Sequence, residues 1–297
     1  MQSRTCLITG ANSGVGRVTA LELAKKGFNI IMLCRNMERS RPVQQEILAA
    51  ARQAGPNIPT VALIPCDLGS QQSIRQAAQR VHNQFERIDV LINNAGRVVD
   101  PLQYSPEGIE LTFQTNYLSH FLLTHLLLDL LRRSDEPRII NVASEFHRLA
   151  RFREIPNRDE KHYNAIGAYN DSKLAKMLFT FELADRLMGE GITVNALHPW
   201  LVDTHFAEDG DAKGVLYLTF QFFKLFAPGP EVLAKTHIYL ASSPEVRHVT
   251  GLYFANCRWE PPSQMAQNRA LGRKLWTLSE QLTGISEYVA SPYSLTY

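Results

Sequence analysis

Short apolar runs rich in Val, Ile and Leu recur along the chain at Thr5–Thr9, Asn29–Leu33, Val61–Pro65, Asp89–Ile92, Arg138–Val142 and Thr193–Leu197. Between them lie stretches whose apolar positions repeat at helical spacing: Val15–Lys26, Pro42–Ala54, Ser70–Phe85, Thr115–Arg132 and Ala168–Gly189. A strand covered on both faces reads as a continuous apolar run, whereas a helix lying on a sheet shows one apolar stripe. Their alternation predicts an α/β fold, a doubly wound parallel sheet in a three-layer α/β/α arrangement. No Pro/Gly/Ser-rich linker, internal repeat or low-complexity tract interrupts the series, so residues 1–297 are read as a single domain.

The rhythm changes after about residue 199. Val215–Ala227 is crowded with aromatic residues and is stopped by Pro228–Pro230. A helix from about Glu231 to Ser242, a strand at Leu252–Ala255 and a terminal helix near Gln267–Thr283 complete the prediction. The tail thus reads as a lid over residues 205–230 and a closing strand and helix, the helix within 265–285.

Composition narrows the function classes. With 31 basic and 29 acidic side chains the formal charge is +2, and 45% of residues are hydrophobic. That is an ordinary globular balance with no chain-wide field for nucleic acid, so an anionic ligand has to be small and held locally. Cys6, Cys34, Cys66 and Cys257 form no Cys-x-x-Cys pair and read as buried thiols in a reducing compartment. The first residues run directly into a strand pattern with no secretory segment, and no run of about 18 apolar residues occurs. The expectation is a cytoplasmic protein with no transmembrane segment and no metal ion.

After the first strand comes Gly10-Ala11-Asn12-Ser13-Gly14-Val15-Gly16, followed at once by a helix. Glycines there permit a tight turn and close backbone approach to a pyrophosphate, which the helix N-terminus stabilises. At the end of the second strand an acidic residue would bind a ribose 2′-OH, whereas an Arg suits a 2′-phosphate. The sequence has Arg35 and Asn36 at that point, which favours NADP(H) over NAD(H). An Arg on the surface without a ligand is the plain alternative.

Tyr169 and Lys173 stand four residues apart, on one face of a predicted helix. An ammonium near a phenol favours the phenolate. Taken alone, the pair reads as solvated helix surface. Asn93-Asn94-Ala95-Gly96 after the fourth strand, Asn116 inside an apolar helix and Asn141-Val142-Ala143-Ser144 ending the fifth strand keep it company. All fall near the carboxyl ends of strands, where ligands bind in open α/β sheets.

In this order, from about Thr5 to Thr204, these residues resemble the short-chain dehydrogenase/reductase family, which implies a Rossmann fold. The resemblance implies Tyr169 as acid/base, Lys173 as the group that acidifies it and holds the nicotinamide ribose, and Ser144 as hydrogen-bond donor to the substrate oxygen. Asn116 would keep a helix distortion and a water in a proton relay. Cofactor contacts would come from Gly10, Asn12, Ser13, Gly14, Val15, Gly16, Arg35, Asn36, Asp67, Leu68, Asn94, Ala95, Gly96, Tyr169, Lys173, Pro199, Val202 and Thr204. Capping and turn roles for Asp67, Asn94 and Thr204 are compatible with binding. Where the family usually has Pro-Gly after the sixth strand, this chain has Pro199-Trp200, so Trp200 is a candidate wall of the substrate pocket.

Finer features resemble the retinol dehydrogenase-like, NADP-dependent branch: Leu33-Cys34-Arg35-Asn36, the run Phe113 to Leu123, and Lys274-Leu275-Trp276 with Ser279-Glu280 and Leu282-Thr283-Gly284. That branch acts on lipophilic aldehydes, ketones and alcohols, and several members carry an N-terminal membrane anchor, which is not expected here. A homodimer or homotetramer is the family's implication. Tyr217 and Phe220 are candidate substrate contacts, and the segment around them has three open roles: covering an apolar ligand, packing on the core or a second subunit, and touching a membrane surface. His147, in the polar stretch Glu145–Ala165, is a further candidate for substrate contact, against the reading of a solvated loop. The leading function is an NADP(H)-dependent oxidoreductase on a lipophilic carbonyl or alcohol. A non-catalytic NADP(H) sensor on the same fold is the alternative, and a sugar-nucleotide epimerase or dehydratase is disfavoured by glycine spacing and the absence of a larger C-terminal substrate domain.

Overall fold

The computed structural model describes residues 3–55, 58–152, 160–199 and 229–285. Strands β1 (Thr5–Thr9), β2 (Asn29–Cys34), β3 (Val61–Pro65), β4 (Val90–Asn93), β5 (Arg138–Val142), β6 (Thr193–Leu197) and β7 (Tyr253–Ala255) are parallel neighbours in one sheet. β8 (Arg258–Trp259) adds an antiparallel edge, and the order is β3-β2-β1-β4-β5-β6-β7-β8. The direction of winding reverses between β1 and β4, which opens a crevice at their carboxyl ends.

Successive β1 side chains serve opposite faces. Cys6 and Ile8 join a core with Ala20 and Leu23 of α1 (Gly14–Lys25), Ile47 of α2 (Met37–Ala54) and Leu240 of α9 (Lys235–Ser242). Leu7 faces the other way, into a larger core. There it meets Ala77 of α3 (Gln71–Gln84), Phe121 of α5 (Ser119–Leu126), Met177 of α7 (Ala165–Arg186) and Trp276 of α10 (Arg269–Thr283). Both faces are covered, so the strand runs have no polar alternation. The described part of the chain is the doubly wound three-layer sheet expected from the pattern.

The predicted elements differ from the observed ones in instructive places. α2 begins at Met37, not Pro42, because the Asn36 carboxamide accepts the Arg39 N–H at 3.0 Å and caps the helix there. The helix expected over Thr115–Arg132 is four pieces: α4 (Leu111–Phe113), a π-helical turn Gln114–Leu118, α5, and α6 (Leu128–Leu131). Its start is set by buried Glu110, whose carboxylate accepts from Thr112 N–H and Phe113 N–H at 2.7 and 2.8 Å. The helix expected from Glu231 is likewise split into α8 (Pro230–Leu233) and α9. β8 has no counterpart in the prediction, since two residues carry no periodicity. Cys6, Cys34 and Cys66 are buried as expected, but Cys257 is half-buried in the β7–β8 turn, at a φ of 61°.

The largest departure concerns α7. Its pattern reads as amphipathic, yet nearly every residue from Ala168 to Ala184 is buried, including Asn170, Asp171, Lys173 and Lys176. The sheet lies on one side, while the π turn, the short helix Glu145–Leu149 and α10 cover the others. Trp276 of α10 stands edge-on to Phe121 at 5.1 Å and stacks on Phe179 at 6.1 Å.

Candidate active site

The glycine turn lies at the carboxyl end of β1 and opens α1. Gly10 and Gly14 take φ of +68° and +51°, conformations that other residues rarely adopt. A Cβ on Gly16 would lie 2.4 Å from the Gly10 carbonyl oxygen and 2.6 Å from Asn94 Nδ2, so the turn, the helix and the loop after β4 pack at backbone contact. Ser13 is the N-cap of α1 and makes no side-chain capping bond to it. The first amides of α1 and a close-approach backbone fit an anionic pyrophosphate. Val15 is different: its side chain is buried with Val18, Leu233 and Ala234, so only its backbone can serve a cofactor.

β2 ends against this turn. Burial pushes the Cys34 thiol up to about 11, opposed by hydrogen bonds from Ser40 and from the Ala11 and Asn12 backbone, which places Cys34 on the glycine turn. Arg35 and Asn36 follow it, exposed. The Asn36 side chain is committed to capping α2. After β3, Asp67 Oδ1 accepts the Gly69 N–H at 2.9 Å, while Ser70, not Asp67, caps α3. The carbonyl of buried Leu68 accepts from Gln114 Nε2 at 3.1 Å, tying this loop to the π turn. After β4, Asn94 Nδ2 donates to the Thr9 carbonyl at 2.9 Å, and Ala95 and Gly96 continue the turn, half-buried.

Asn116 sits inside the π turn, where a helix distortion was expected, and is fully buried. Its Oδ1 accepts the Arg97 N–H at 2.7 Å, and its Nδ2 donates to the Arg97 carbonyl at 2.8 Å and to Ser172 Oγ at 3.0 Å. Ser172 Oγ donates to the Tyr169 carbonyl at 2.7 Å. Asn116 therefore braces the second turn of α7, the one that carries Tyr169.

On α7, Lys173 is buried, its Nζ donating to the Val142 carbonyl at 3.1 Å and lying 5.4 Å from the centre of the Tyr169 ring. Val142 ends β5 two residues before Ser144, so one ammonium links the phenol to the strand end that presents the hydroxyl. Ser144 caps the short helix Glu145–Leu149, its Oγ accepting from Phe146 N–H at a long 3.3 Å. The Tyr169 ring packs among Val98, Ala165, Phe146 and Tyr163. The structure thus gathers Asn116, Ser144, Tyr169 and Lys173 around the carboxyl ends of β4 and β5, next to the glycine turn.

His147 does not reach this site. It is buried, its Nδ1–H donates to the Ser144 carbonyl at 2.8 Å, and its Nε2 accepts from Ser263 N–H at 3.1 Å. Burial pushes the ring downward from the ordinary histidine value. With both nitrogens engaged it supports the Ser144 loop and has none to offer a substrate. Arg151 N–H and Phe152 N–H donate to Asp171 Oδ1, fastening the end of the same loop to α7. Pro199 follows β6, half-buried; Trp200, Val202, Thr204, Tyr217, Phe220 and the segment 215–227 lie outside the described residues.

One network was missed by the motifs. The Tyr253 hydroxyl lies 3.0 Å from Glu145 Oε2 and 2.5 Å from His198 Nδ1, joining the loop after β5 to the loop after β6. A carboxylate oxygen from each of Glu145 and Glu260 and a ring nitrogen of His198 fall within 4.8 Å of one another. Spacing in sequence gives no sign of this, because the three residues come from separate loops.

The model of the family described as short chain dehydrogenase matches residues 4–213. The chain is similar to retinol dehydrogenase 13 of Mus musculus, 40% identical over 97% of this chain and 86% of the mouse protein. It is 39% identical to retinol dehydrogenase 14 of Homo sapiens, over 96% of this chain and 88% of the human one. A crystal structure of a protein from Mycobacterium Paratuberculosis superposes with a TM-score of 0.72 at 30% identity, covering 97% and 95% of the two chains. A short chain dehydrogenase from Shigella flexneri 2a complexed with NADP shares the fold, with a TM-score of 0.64 at 24% identity, covering 87% of this chain and 98% of that one. No helix among the described residues is long and apolar enough to cross a membrane.

Proposed function

The chain belongs to the short-chain dehydrogenase family, and on that premise we propose that it is an NADP(H)-dependent carbonyl reductase or alcohol dehydrogenase acting on a lipophilic substrate. As a family member it is an oxidoreductase working between a nicotinamide cofactor and a carbonyl or alcohol; the finer assignments are our reading. The observation that carries it is buried Lys173, bonded to Val142 at 3.1 Å and facing the Tyr169 ring at 5.4 Å. A buried ammonium held against a phenol favours the phenolate form, which an acid/base needs.

The dinucleotide, when bound, supplies or accepts the hydride. Gly10, Asn12, Ser13, Gly14 and Gly16 would hold its pyrophosphate, Asp67, Leu68, Asn94, Ala95 and Gly96 its adenosine end, and Lys173 the nicotinamide ribose. Tyr169 gives a proton to the carbonyl oxygen in reduction and takes it back in oxidation. Ser144 donates a hydrogen bond to that same oxygen, stabilising it as charge develops. Asn116 holds Tyr169's helix turn in place. Arg35 supports NADP(H), standing exposed beside the glycine turn where a 2′-phosphate would be met. The lipophilic class is supported by the retinol dehydrogenases among the relatives, since retinol is an apolar alcohol. Residues 205–230 are assigned as the substrate cover.

Tyr169→Phe tests the reading. NADPH oxidation against a panel of lipophilic aldehydes and ketones should fall by at least about a hundredfold, while NADPH binding persists. Wild-type turnover in that variant would remove Tyr169 from the chemistry.

A further inference from the structure

Lys176 lies one turn beyond Lys173 on α7, fully buried, and no step above uses it. Its Nζ is 3.1 Å from the Asn93 carbonyl oxygen and 2.9 Å from Nδ1 of His120, which is also fully buried. His120 Nδ1 lies in addition 3.2 Å from the Asn116 carbonyl, and its Nε2 lies 3.0 Å from Thr9 Oγ1. Thr9 Oγ1 in turn faces the Asn94 and Ala95 N–H groups, each at 2.9 Å, the first shared with the Ile92 carbonyl.

A count of protons along this chain of contacts fixes the state of the lysine. Backbone N–H groups only donate, so Thr9 Oγ1 accepts from Asn94 and Ala95, and its own proton has one acceptor among its described contacts, His120 Nε2. A neutral imidazole that accepts at Nε2 carries its proton on Nδ1. That N–H points at the Asn116 carbonyl and at Lys176 Nζ. An ammonium has three donors and no lone pair, so at 2.9 Å it would set N–H against N–H. A neutral amine presents a lone pair there and still donates to Asn93. The surroundings agree: burial, and then the like charge of Lys173, push Lys176 well below the ordinary lysine value. Burial, with the charge of Lys173 adding to it, also holds the His120 ring down, in its neutral form.

We propose that Lys176 is an uncharged amine acting as a positioning residue, which through His120 and Thr9 ties the catalytic helix to the Asn94–Ala95 turn and spares Lys173 a second charge beneath it. The link to function rests on the proposed role of that turn in holding the dinucleotide; the charge state does not. The groups facing Lys176 are Asn93 from β4, His120 from α5 and Lys173 from its own helix, and none is a carboxylate.

The test has two arms, on the full chain. In protein labelled with 13C and 15N at lysine, the Lys176 side-chain signals, assigned by their loss in Lys176→Gln and by their contact with the His120 ring, should fall at the neutral-amine position near neutral pH. Signals at the ammonium position with the other lysines would overturn the proposal. This arm needs neither cofactor nor turnover, so it stands or falls separately from the reductase reading. In the second arm, Lys176→Met should raise the KM for NADPH about tenfold with kcat held within about twofold, and Lys176→Gln should restore part of the loss. A folded Lys176→Met with unchanged KM, or with the loss confined to kcat, would refute the positioning role. If Lys176→Met does not fold, the wild-type spectrum still decides the charge and Lys176→Gln the KM.

Discussion

A Cβ on Gly16 would lie 2.4 Å from the carbonyl oxygen of Gly10, a distance that no side chain can occupy without moving backbone. Gly16→Ala should therefore cost about 1–3 kcal/mol of stability, because the obstacle is main chain and not the end of a flexible side chain. It should also reduce the extra stability gained on adding NADP+, since the turn that moves is the one proposed to meet the pyrophosphate. Urea unfolding with and without NADP+ checks both. A variant as stable as wild type, with the same gain, would show the contact to be relieved at no cost.

Arg35→Asp should weaken NADPH by about 1–3 kcal/mol, the worth of a charge-assisted contact, and leave NADH bound as well or better. Fluorescence titration with both nucleotides measures the ratio. An unchanged ratio would take Arg35 out of the cofactor site.

Asn116→Ala removes the acceptor of the part-buried Arg97 N–H and the buried donor to Ser172 Oγ. The Arg97 amide is then left without its partner, so a stability loss of about 1–3 kcal/mol is expected. Turnover should fall further than the stability loss explains, because Ser172 sits under Tyr169's own turn. Thermal unfolding and kcat measured on the same preparation separate the two effects.

His125 and His237 are buried, and burial pushes both rings down to about 4. In the unfolded chain the rings take up protons below about 6.5, in the folded one only near 4, so the unfolded state binds more protons in between. Unfolding free energy should fall as pH drops from about 6.5 to about 4 and level off below, by up to about 3 kcal/mol for each ring. Denaturant titrations across that range, in wild type and His125→Gln, test the assignment. An equal slope in the variant would place the effect on other groups.

Much of this architecture was legible because apolar runs and helical stripes report burial directly, so β1, β3, β5 and β6 were bounded as observed. That Asn116, Ser144, Tyr169 and Lys173 come together was expected from the strand ends and the apolar helix around Asn116 and Ser144 and, for Tyr169 and Lys173, from the family resemblance. His147 misled, since three residues of spacing from Ser144 cannot tell a ring turned toward the substrate from one turned into the core. The Glu145–Tyr253–His198 network and the Lys176–His120–Thr9 chain left no trace. Their partners are brought together by the crossing of elements far apart in sequence. The solvated surface expected of Tyr169 and Lys173 in isolation failed for the same reason, because Val98, Phe146, Tyr163 and the π turn close over that part of α7.

The covering of α7 by α10 also sets an order of assembly. Trp276 packs on Phe121 and Phe179, and Gln71 and Arg75 of α3 hold the carbonyls of Leu282 and Thr283. The glycine turn precedes α10 in the chain, so it is made before the helix that packs on α7. A growing chain can form β1 and its glycine turn before α10 is there to pack on Phe121 and Phe179. The glycine turn and the full packing of α7, joined in the finished protein, are separated in time while it is being made.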